Sequence, residues 1–184
     1  HLDGARIFNA AAALGVDARL LVEPADSVTF CLSKGLCAPV GSVLCGSEEF
    51  IRKARRIRKQ VGGGMRQAGI LAAAGIIALD QMTERLGEDH QQARRLAQTL
   101  EKLPGLVLDP PIPATNMVFV NLTAENPLNA GQAAARLLDH GVKASVAGPR
   151  RMRLVTHYWI DDQAVDTAVR AFESVFLQEP ESAR

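Results

Sequence analysis

An α/β fold in two parts is what the sequence predicts, and three observations carry that expectation. Short apolar runs rich in β-branched residues alternate with longer stretches whose apolar residues recur at helical spacing. A break rich in proline and glycine, Pro104-Gly105 followed by Pro110-Pro111-Ile112-Pro113, interrupts the pattern. Beyond it the elements run β-α-β-β-α, the order of a small α/β layer. The expected division is a larger α/β portion over 1–104 and a small C-terminal α/β domain over 105–184. At 184 residues, 47% of them hydrophobic, the chain suffices for one ordinary domain or two small ones.

Taken in order, His1-Leu2-Asp3-Gly4-Ala5-Arg6 reads as the tail of a strand entering a loop, with Asp3 and Arg6 as its charged groups. A short helix is expected over 7–14, stopped by Gly15. Residues 28–32 and 40–45 are bounded by turn residues and are expected as buried strands flanking Ser33-Lys34-Gly35. Ser47 is a good N-cap for the next helix, with Glu48 and Glu49 in its first turn. That helix carries Arg52, Lys53, Arg55, Arg56, Arg58 and Lys59 around an apolar stripe of Phe50, Ile51, Ala54, Ile57 and Val61. Gly62-Gly63-Gly64 breaks it and lets the backbone turn sharply or approach a ligand closely.

A long helical pattern follows from Gln67 to about residue 103. Its first half is almost wholly apolar, which predicts burial on several sides, and Gly87 and His90 mark a kink. The proline run is expected as a stiff linker. A strand over 116–122, a helix over 128–140 ended by Gly141, and strands over 142–146 and 152–156 joined at Gly148-Pro149 come next. Asp161 or Asp162 caps a last helix to about 177, and the polar tail 178–184 is expected to fray.

Composition removes several function classes. Lys plus Arg (21) against Asp plus Glu (20) leaves +1, no general field for nucleic acid or an acidic partner. No aromatics interleave with the basic helix, so it reads as a solvated face before a nucleic-acid patch. No apolar run of about 18 residues predicts a membrane span, and no signal sequence is seen. Cys31, Cys37 and Cys45 are odd in number and lack CxxC spacing. They read as small buried hydrophobes of a reducing, cytoplasmic compartment, not as disulfides or metal ligands. The first residue is His1, not Met, and it opens directly into a strand, so the chain is expected to be a fragment of a longer protein.

Lys34 and Asp3 are the poles of the candidate chemistry. Lys34 stands at a strand end among small and apolar residues. Desolvation there would disfavour the ammonium and leave an amine able to attack a carbonyl; the plainer alternative is a lysine reaching to water. In a parallel sheet the carboxyl ends of successive strands meet at one rim, which would put Asp3, Arg6 and Lys34 on one crevice. A lysine and a carboxylate so placed suit pyridoxal phosphate: the amine forms a Schiff base, and the carboxylate keeps the pyridine nitrogen protonated so that the ring accepts electrons. The alternative for Asp3 and Arg6 is an ordinary ion pair worth under about 1 kcal/mol. His90, His140 and His157 show no ligand spacing, and His157 is expected to be structural or pocket-lining.

Three stretches together are specific: residues 1–6, the run from Asp26 through Ser33-Lys34-Gly35-Leu36-Cys37 to Ser42, and Gly62-Gly63-Gly64-Met65-Arg66-Gln67-Ala68-Gly69. In that order they resemble the low-specificity L-threonine aldolase family, and Arg153-Leu154-Val155-Thr156-His157 resembles its C-terminal arginine motif. The resemblance covers essentially this whole chain but only the C-terminal half of a family member. It implies that 1–104 is part of a large domain of pyridoxal-phosphate fold type I, the aspartate-aminotransferase-like fold. By that resemblance Lys34 holds the cofactor as a Schiff base, Asp3 partners the pyridine nitrogen, and Arg6 neighbours the ring's phenolic oxygen. Arg153 would grip the substrate α-carboxylate, and Lys59 and Arg66 would reach across a subunit interface toward the neighbour's site, which implies a homodimer or homotetramer. Cys37 stands where the family most often has glycine; cysteine asks for an ordinary backbone conformation, and tolerance is expected.

The implied reaction cleaves L-threonine or L-allo-threonine, a small amino acid, to glycine and an aldehyde. The family's phosphate-binding loop and two histidines lie upstream of the Asp-x-x-Arg motif, so the 184 residues alone are expected to bind cofactor poorly, to be inactive and to leave an apolar face uncovered. Two rival readings remain: another fold-type-I lyase that β-eliminates amino acids, releasing ammonia and a keto acid, and a non-catalytic truncated protein.

Overall fold

The computed structural model describes residues 1–177, so the tail expected to fray lies outside the described residues. The chain forms two compact units, one of His1–Gly87 and one beginning at Glu88.

The first unit holds a three-stranded sheet in the order β1 (Leu2–Asp3), β2 (Ser27–Cys31), β3 (Ser42–Gly46). Strand β1 runs parallel to β2, with Leu2 opposite Val28 and Asp3 opposite Thr29, while β3 is antiparallel to β2. Parallel neighbours need a crossover. It is supplied by α1 (Ile7–Leu14), which stops at Gly15 in the left-handed region (φ +67°), and by α2 (Ala18–Val22). The sequence reading missed α2, because five residues are too few to show a helical period. Its signal was Asp17, whose side chain accepts a hydrogen bond from Arg19 N at 2.8 Å in N-cap fashion.

Helix α3 (Glu48–Gln60) starts as expected, with Ser47 Oγ accepting from Phe50 N at 3.3 Å. The long pattern after the glycines is not one helix. It divides into α4 (Gly69–Ile77), a π-helical turn over Ala78–Met82, and α5 (Leu86–Leu100), so the break comes just ahead of Gly87. The core of this unit is small: Leu36, Ala38, Ala78 and Leu86, with Phe8 and Leu32 against them.

Two burial expectations fail here. Strand β3 is largely exposed, Cys45 included, and in α4 Ile70, Ile76 and Ile77 are 82%, 60% and 55% exposed. Both sequences carry the apolar content of buried elements. The physical reason for the mismatch is that no described residue packs over those faces.

Between β2 and β3 lies the turn that carries Lys34. Leu32 N donates to Gly41 O at 2.9 Å, Ala38 N to Leu32 O at 3.0 Å, and Cys37 N to Lys34 O at 2.9 Å. Closing this turn puts Cys37 at φ +58°, in the left-handed region that costs a side-chain-bearing residue about 1–2 kcal/mol. The ordinary conformation expected for Cys37 is thus not what the turn imposes.

The second unit is a four-stranded antiparallel sheet in the order β4 (Leu106–Leu108), β5 (Met117–Leu122), β7 (Arg151–Val155), β6 (Ser145–Gly148). Along β5 burial alternates strictly, with Val118, Val120 and Leu122 inward. Helices α5, α6 (Ala130–Asp139) and α7 (Asp162–Phe176) contribute Leu96, Leu137 and Phe172 to the core that covers Val120 and Met152. Asn129 and Gln132 form a reciprocal capping box on α6, and Asp161 caps α7. Because Ala93, Leu96, Ala97 and Leu100 belong to this core, the compact unit begins at Glu88, ahead of the expected 105. The proline run is a loop joining β4 to β5 within the unit, not a linker before it.

Two stability outcomes follow from these placements. Cys37→Gly should be neutral or raise stability, since relief of the left-handed strain offsets glycine's larger unfolded-state entropy, whereas Cys37→Val should lose about 1–2 kcal/mol in urea melts. Phe172→Ala, at a fully buried site, should cost about 3–5 kcal/mol in the transition of the second unit.

Candidate functional site

Both strands of the parallel pair leave the first unit's sheet at the same rim. Asp3 is the last residue of β1, and Lys34 stands three residues beyond the end of β2. The pairing continues past the strands, with Gly4 N donating to Thr29 O at 2.8 Å and Cys31 N to Ala5 O at 3.4 Å. The rim inferred from the sequence is therefore present. Asp3 is exposed and its Oδ1 accepts from Ala5 N at 3.2 Å; Arg6, half-buried, occupies the N-cap position of α1.

Lys34 is exposed, not enclosed by apolar neighbours as its sequence context suggested. The turn explains the difference: Gly35, Leu36 and Ala38 go inward, and Lys34 is left on the outer side. The turn packs closely at Gly35. A Cβ there would lie 2.9 Å from Leu86 Cδ2 and 3.2 Å from Asn9 Oδ1, so the backbone beside Lys34 rests directly on the core. A primary amine is thus presented to solvent from a turn anchored on its neighbouring residues.

His1 was not singled out from the sequence. Its ring nitrogens lie 2.8 Å from Ser27 Oγ and 3.2 Å from Thr29 Oγ1, and Thr29 is the register partner of Asp3. His1 and Asp3 share a face of the sheet, since strand side chains alternate. The readable signal was the pair of hydroxyls at Ser27 and Thr29, spaced two apart on the next strand.

In the second unit, Arg153 belongs to the central strand β7, between Phe119 of β5 and Ser145 of β6. It is one of three arginines within four positions, and the structure separates them. Arg150 is committed to the backbone: Nε donates to Leu122 O at 3.0 Å, and Nη2 to Asn126 O at 2.8 Å and also to Thr123 O. Arg151 pairs with Asp109 at 3.1 Å and lies over the ring of Phe119, 4.7 Å from its centroid. Arg153 has a buried Nε with no hydrogen-bond partner among the described residues. A buried donor without an acceptor costs about 1–3 kcal/mol, a cost that an incoming carboxylate would offset.

Lys59 and Arg66 are exposed around the glycine loop. The Lys59 side chain folds over Gly64, where a Cβ would come within 2.6 Å of Lys59 Cδ and 2.8 Å of Nζ. Gly64 thus makes room for the lysine. Lys53 pairs with Glu49 at 2.7 Å on the exposed surface of α3, as expected of solvated charge.

The remaining titratable groups do not join this set. His90 is buried, and its imidazole is held below the usual histidine range first by burial and then by the Arg94 charge. His157 lines a cleft of about 500 Å³ with Leu96, Lys143, Ile160 and Ala164, and that cleft includes none of the six candidate residues. Among the described residues no group of acids, histidines and cysteines could hold a metal, and no helix is long and apolar enough to cross a membrane.

Comparison with known proteins gives these positions a context. The family described as Beta-eliminating lyase matches residues 1–124. The chain is 41% identical over 184 residues to low-specificity L-threonine aldolase 1 of Arabidopsis thaliana, covering 100% of this chain and 51% of that one. It is 48% identical over 132 residues to the low specificity L-threonine aldolase of Escherichia coli K12, covering 72% and 39%. The chain thus spans about half, or less, of the length of these curated relatives. Among solved structures it resembles a Listeria monocytogenes chain proposed to be an L-allo-threonine aldolase (TM-score 0.77, 21% identity, 95% of this chain and 51% of that one). It also resembles the serine palmitoyltransferase of Sphingomonas wittichii (TM-score 0.66, 21% identity, 86% and 41%). The fold is that of part of a fold-type-I enzyme; a further similar solved structure, a serine palmitoyltransferase (TM-score 0.65, 19% identity, 86% of this chain and 41% of that one), carries pyridoxal phosphate as an internal aldimine. With two parallel strands delivering Asp3 and Lys34 to one rim and the family match running through both, the chain belongs to the beta-eliminating lyase family.

Proposed function

We propose that the protein to which this chain belongs cleaves L-threonine or L-allo-threonine to glycine and acetaldehyde, with pyridoxal phosphate as cofactor. The observation that carries the reading is the shared rim of Asp3 and Lys34 at the carboxyl ends of parallel strands. In the first unit the residues present suit the group: an exposed amine at Lys34 and the Asp3 carboxylate on the adjoining strand. When bound, the cofactor supplies an electron sink for the electron pair left on the substrate α-carbon.

In this reading Lys34 provides the amine that tethers the cofactor, and Asp3 holds the proton on its pyridine nitrogen. Arg6 sets positive charge beside the ring oxygen. Arg153 would take the carboxylate of the amino-acid substrate in a two-point grip and so orient it for cleavage. Lys59 and Arg66 serve the site of a neighbouring subunit in a homodimer or homotetramer. Their exposure on the glycine loop supports this use. The chain spans about half the length of its curated relatives, and in this reading the 184 residues alone are expected to be inactive and to bind cofactor weakly. A cytoplasmic setting is supported by three free cysteines.

The family's description also favours a second reading, β-elimination from an amino acid. Product analysis separates the two, since aldol cleavage yields glycine and an aldehyde, and elimination yields ammonia and a keto acid.

In the full-length protein, Lys34→Ala should abolish both turnover and the absorbance band near about 420 nm expected of the tethered cofactor. A retained band would overturn the assignment of Lys34. Arg153→Lys should raise KM for L-threonine on the order of tenfold with cofactor loading unchanged. Lys34→Ala and Arg66→Ala subunits, each inactive, should regain roughly a quarter of wild-type activity when mixed as dimers, because one mixed site keeps both groups. No recovery would count against a shared site.

A further inference from the structure

The carboxyl end of β7 carries a polar cluster that has no part in the assignments above. Asp89, His90, Asn116 and Thr156 are 1%, 2%, 2% and 2% exposed. Burying such groups is costly unless they are hydrogen-bonded, so a built network in a core needs a reason.

Thr156 is its centre. Its hydroxyl donates to Asp89 O at 2.6 Å, close to the start of α5, and lies 3.4 Å from Asn116 O. Its backbone N–H donates to Asn116 O at 3.0 Å, and its carbonyl accepts from Asn116 Nδ2 at 2.7 Å. The ladder between β5 and β7 has Met117 opposite Val155 as its last register pair. Asn116 and Thr156 extend it by one rung, in which a side-chain amide replaces a backbone donor. The hydroxyl then ties that rung sideways to the backbone of α5.

Arg153 lies three positions upstream on the same strand. Side-chain direction alternates along β7, with Met152 and Leu154 buried and Arg151, Arg153 and Val155 on the other face. The direction in which Arg153 points is therefore set by the register and pleat of the strand end, and a frayed end would blur it. We propose that Thr156, together with Asn116, is a positioning residue for Arg153. The clamp holds the end of β7 so that the guanidinium meets the carboxylate of an amino-acid substrate in one orientation. Neither residue touches the substrate in this role, and the inference rests on the reading of Arg153 given above.

The test uses the full-length protein loaded with cofactor. Thr156→Val keeps the shape and removes the hydroxyl. It should raise both KM for L-threonine and Kd for glycine (by calorimetry) about five- to tenfold, with kcat within about twofold and cofactor affinity unchanged. Thr156→Ser, which keeps the donor, should restore both constants. Asn116→Ala should move them in the same direction and decides the matter if Thr156→Val does not fold. In an Arg153→Ala background the Thr156→Val effect on glycine Kd should vanish. Unchanged constants in Thr156→Val and Asn116→Ala, equal loss in the Val and Ser variants, or an effect that survives in Arg153→Ala would each overturn the clamp. If Arg153→Ala alone leaves the glycine Kd unchanged, the reading of Arg153 itself falls. A normal Arg153→Ala response with a flat Thr156→Val response sinks the clamp alone.

Discussion

The meeting of Asp3 and Lys34 at one rim depends on one short parallel pairing. Strand β1 is two residues long, yet it fixes the end of the sheet from which Asp3 emerges. Had it paired antiparallel to β2, Asp3 and Lys34 would leave the sheet at opposite ends, and no local feature of either could bring them together. The pairing is supported beyond its length by the bonds from Gly4 N to Thr29 O and from Cys31 N to Ala5 O. It also demands the α1–α2 crossover, because a parallel partner cannot be reached by a tight turn.

The two units are held in different ways. The second closes its sheet with three helices around a core that includes the fully buried Leu137, Met152 and Phe172. The first buries few apolar side chains, and its geometry rests on hydrogen-bonded turns and on close backbone packing. The Lys34 turn illustrates this: Gly35 lies against Leu86 and Asn9, and Cys37 accepts a left-handed conformation so that the chain can return to β3. Local strain of this kind persists where surrounding structure imposes it. Here it accompanies Lys34, the residue proposed to tether the cofactor.

Charge is allotted by partner, not by residue type. Three arginines within four positions of β7 and its approach are equivalent in composition. Arg150 is committed to backbone carbonyls and Arg151 to Asp109 and Phe119, while the buried Nε of Arg153 has no acceptor among the described residues. The basic helix shows the same sorting on a smaller scale, with Lys53 paired to Glu49 and Lys59 laid over Gly64.

Several caps, glycine stops and strand runs were legible in the sequence, because Ser47, Asp161 and Gly15 act on the few residues beside them. The motifs around Asp3, Lys34, Arg66 and Arg153 were legible for the same reason: each is a local pattern of residue types. What the sequence could not show is anything that depends on which surfaces meet. It predicted burial for β3, α4 and Lys34 from apolar surroundings, yet β3 is largely exposed, α4 bares Ile70, Ile76 and Ile77, and Lys34 is exposed. It began the small domain at 105, and the compact unit whose core includes Ala93, Leu96, Ala97 and Leu100 begins at Glu88. The clamp of Thr156 and Asn116 joins positions forty apart and left no mark beyond a polar residue at each strand end. Sequence alone determined which residues are candidates for the chemistry and where most helices start and stop; only the tertiary structure decided which are buried, partnered or presented, because burial and hydrogen bonding are properties of pairs distant along the chain.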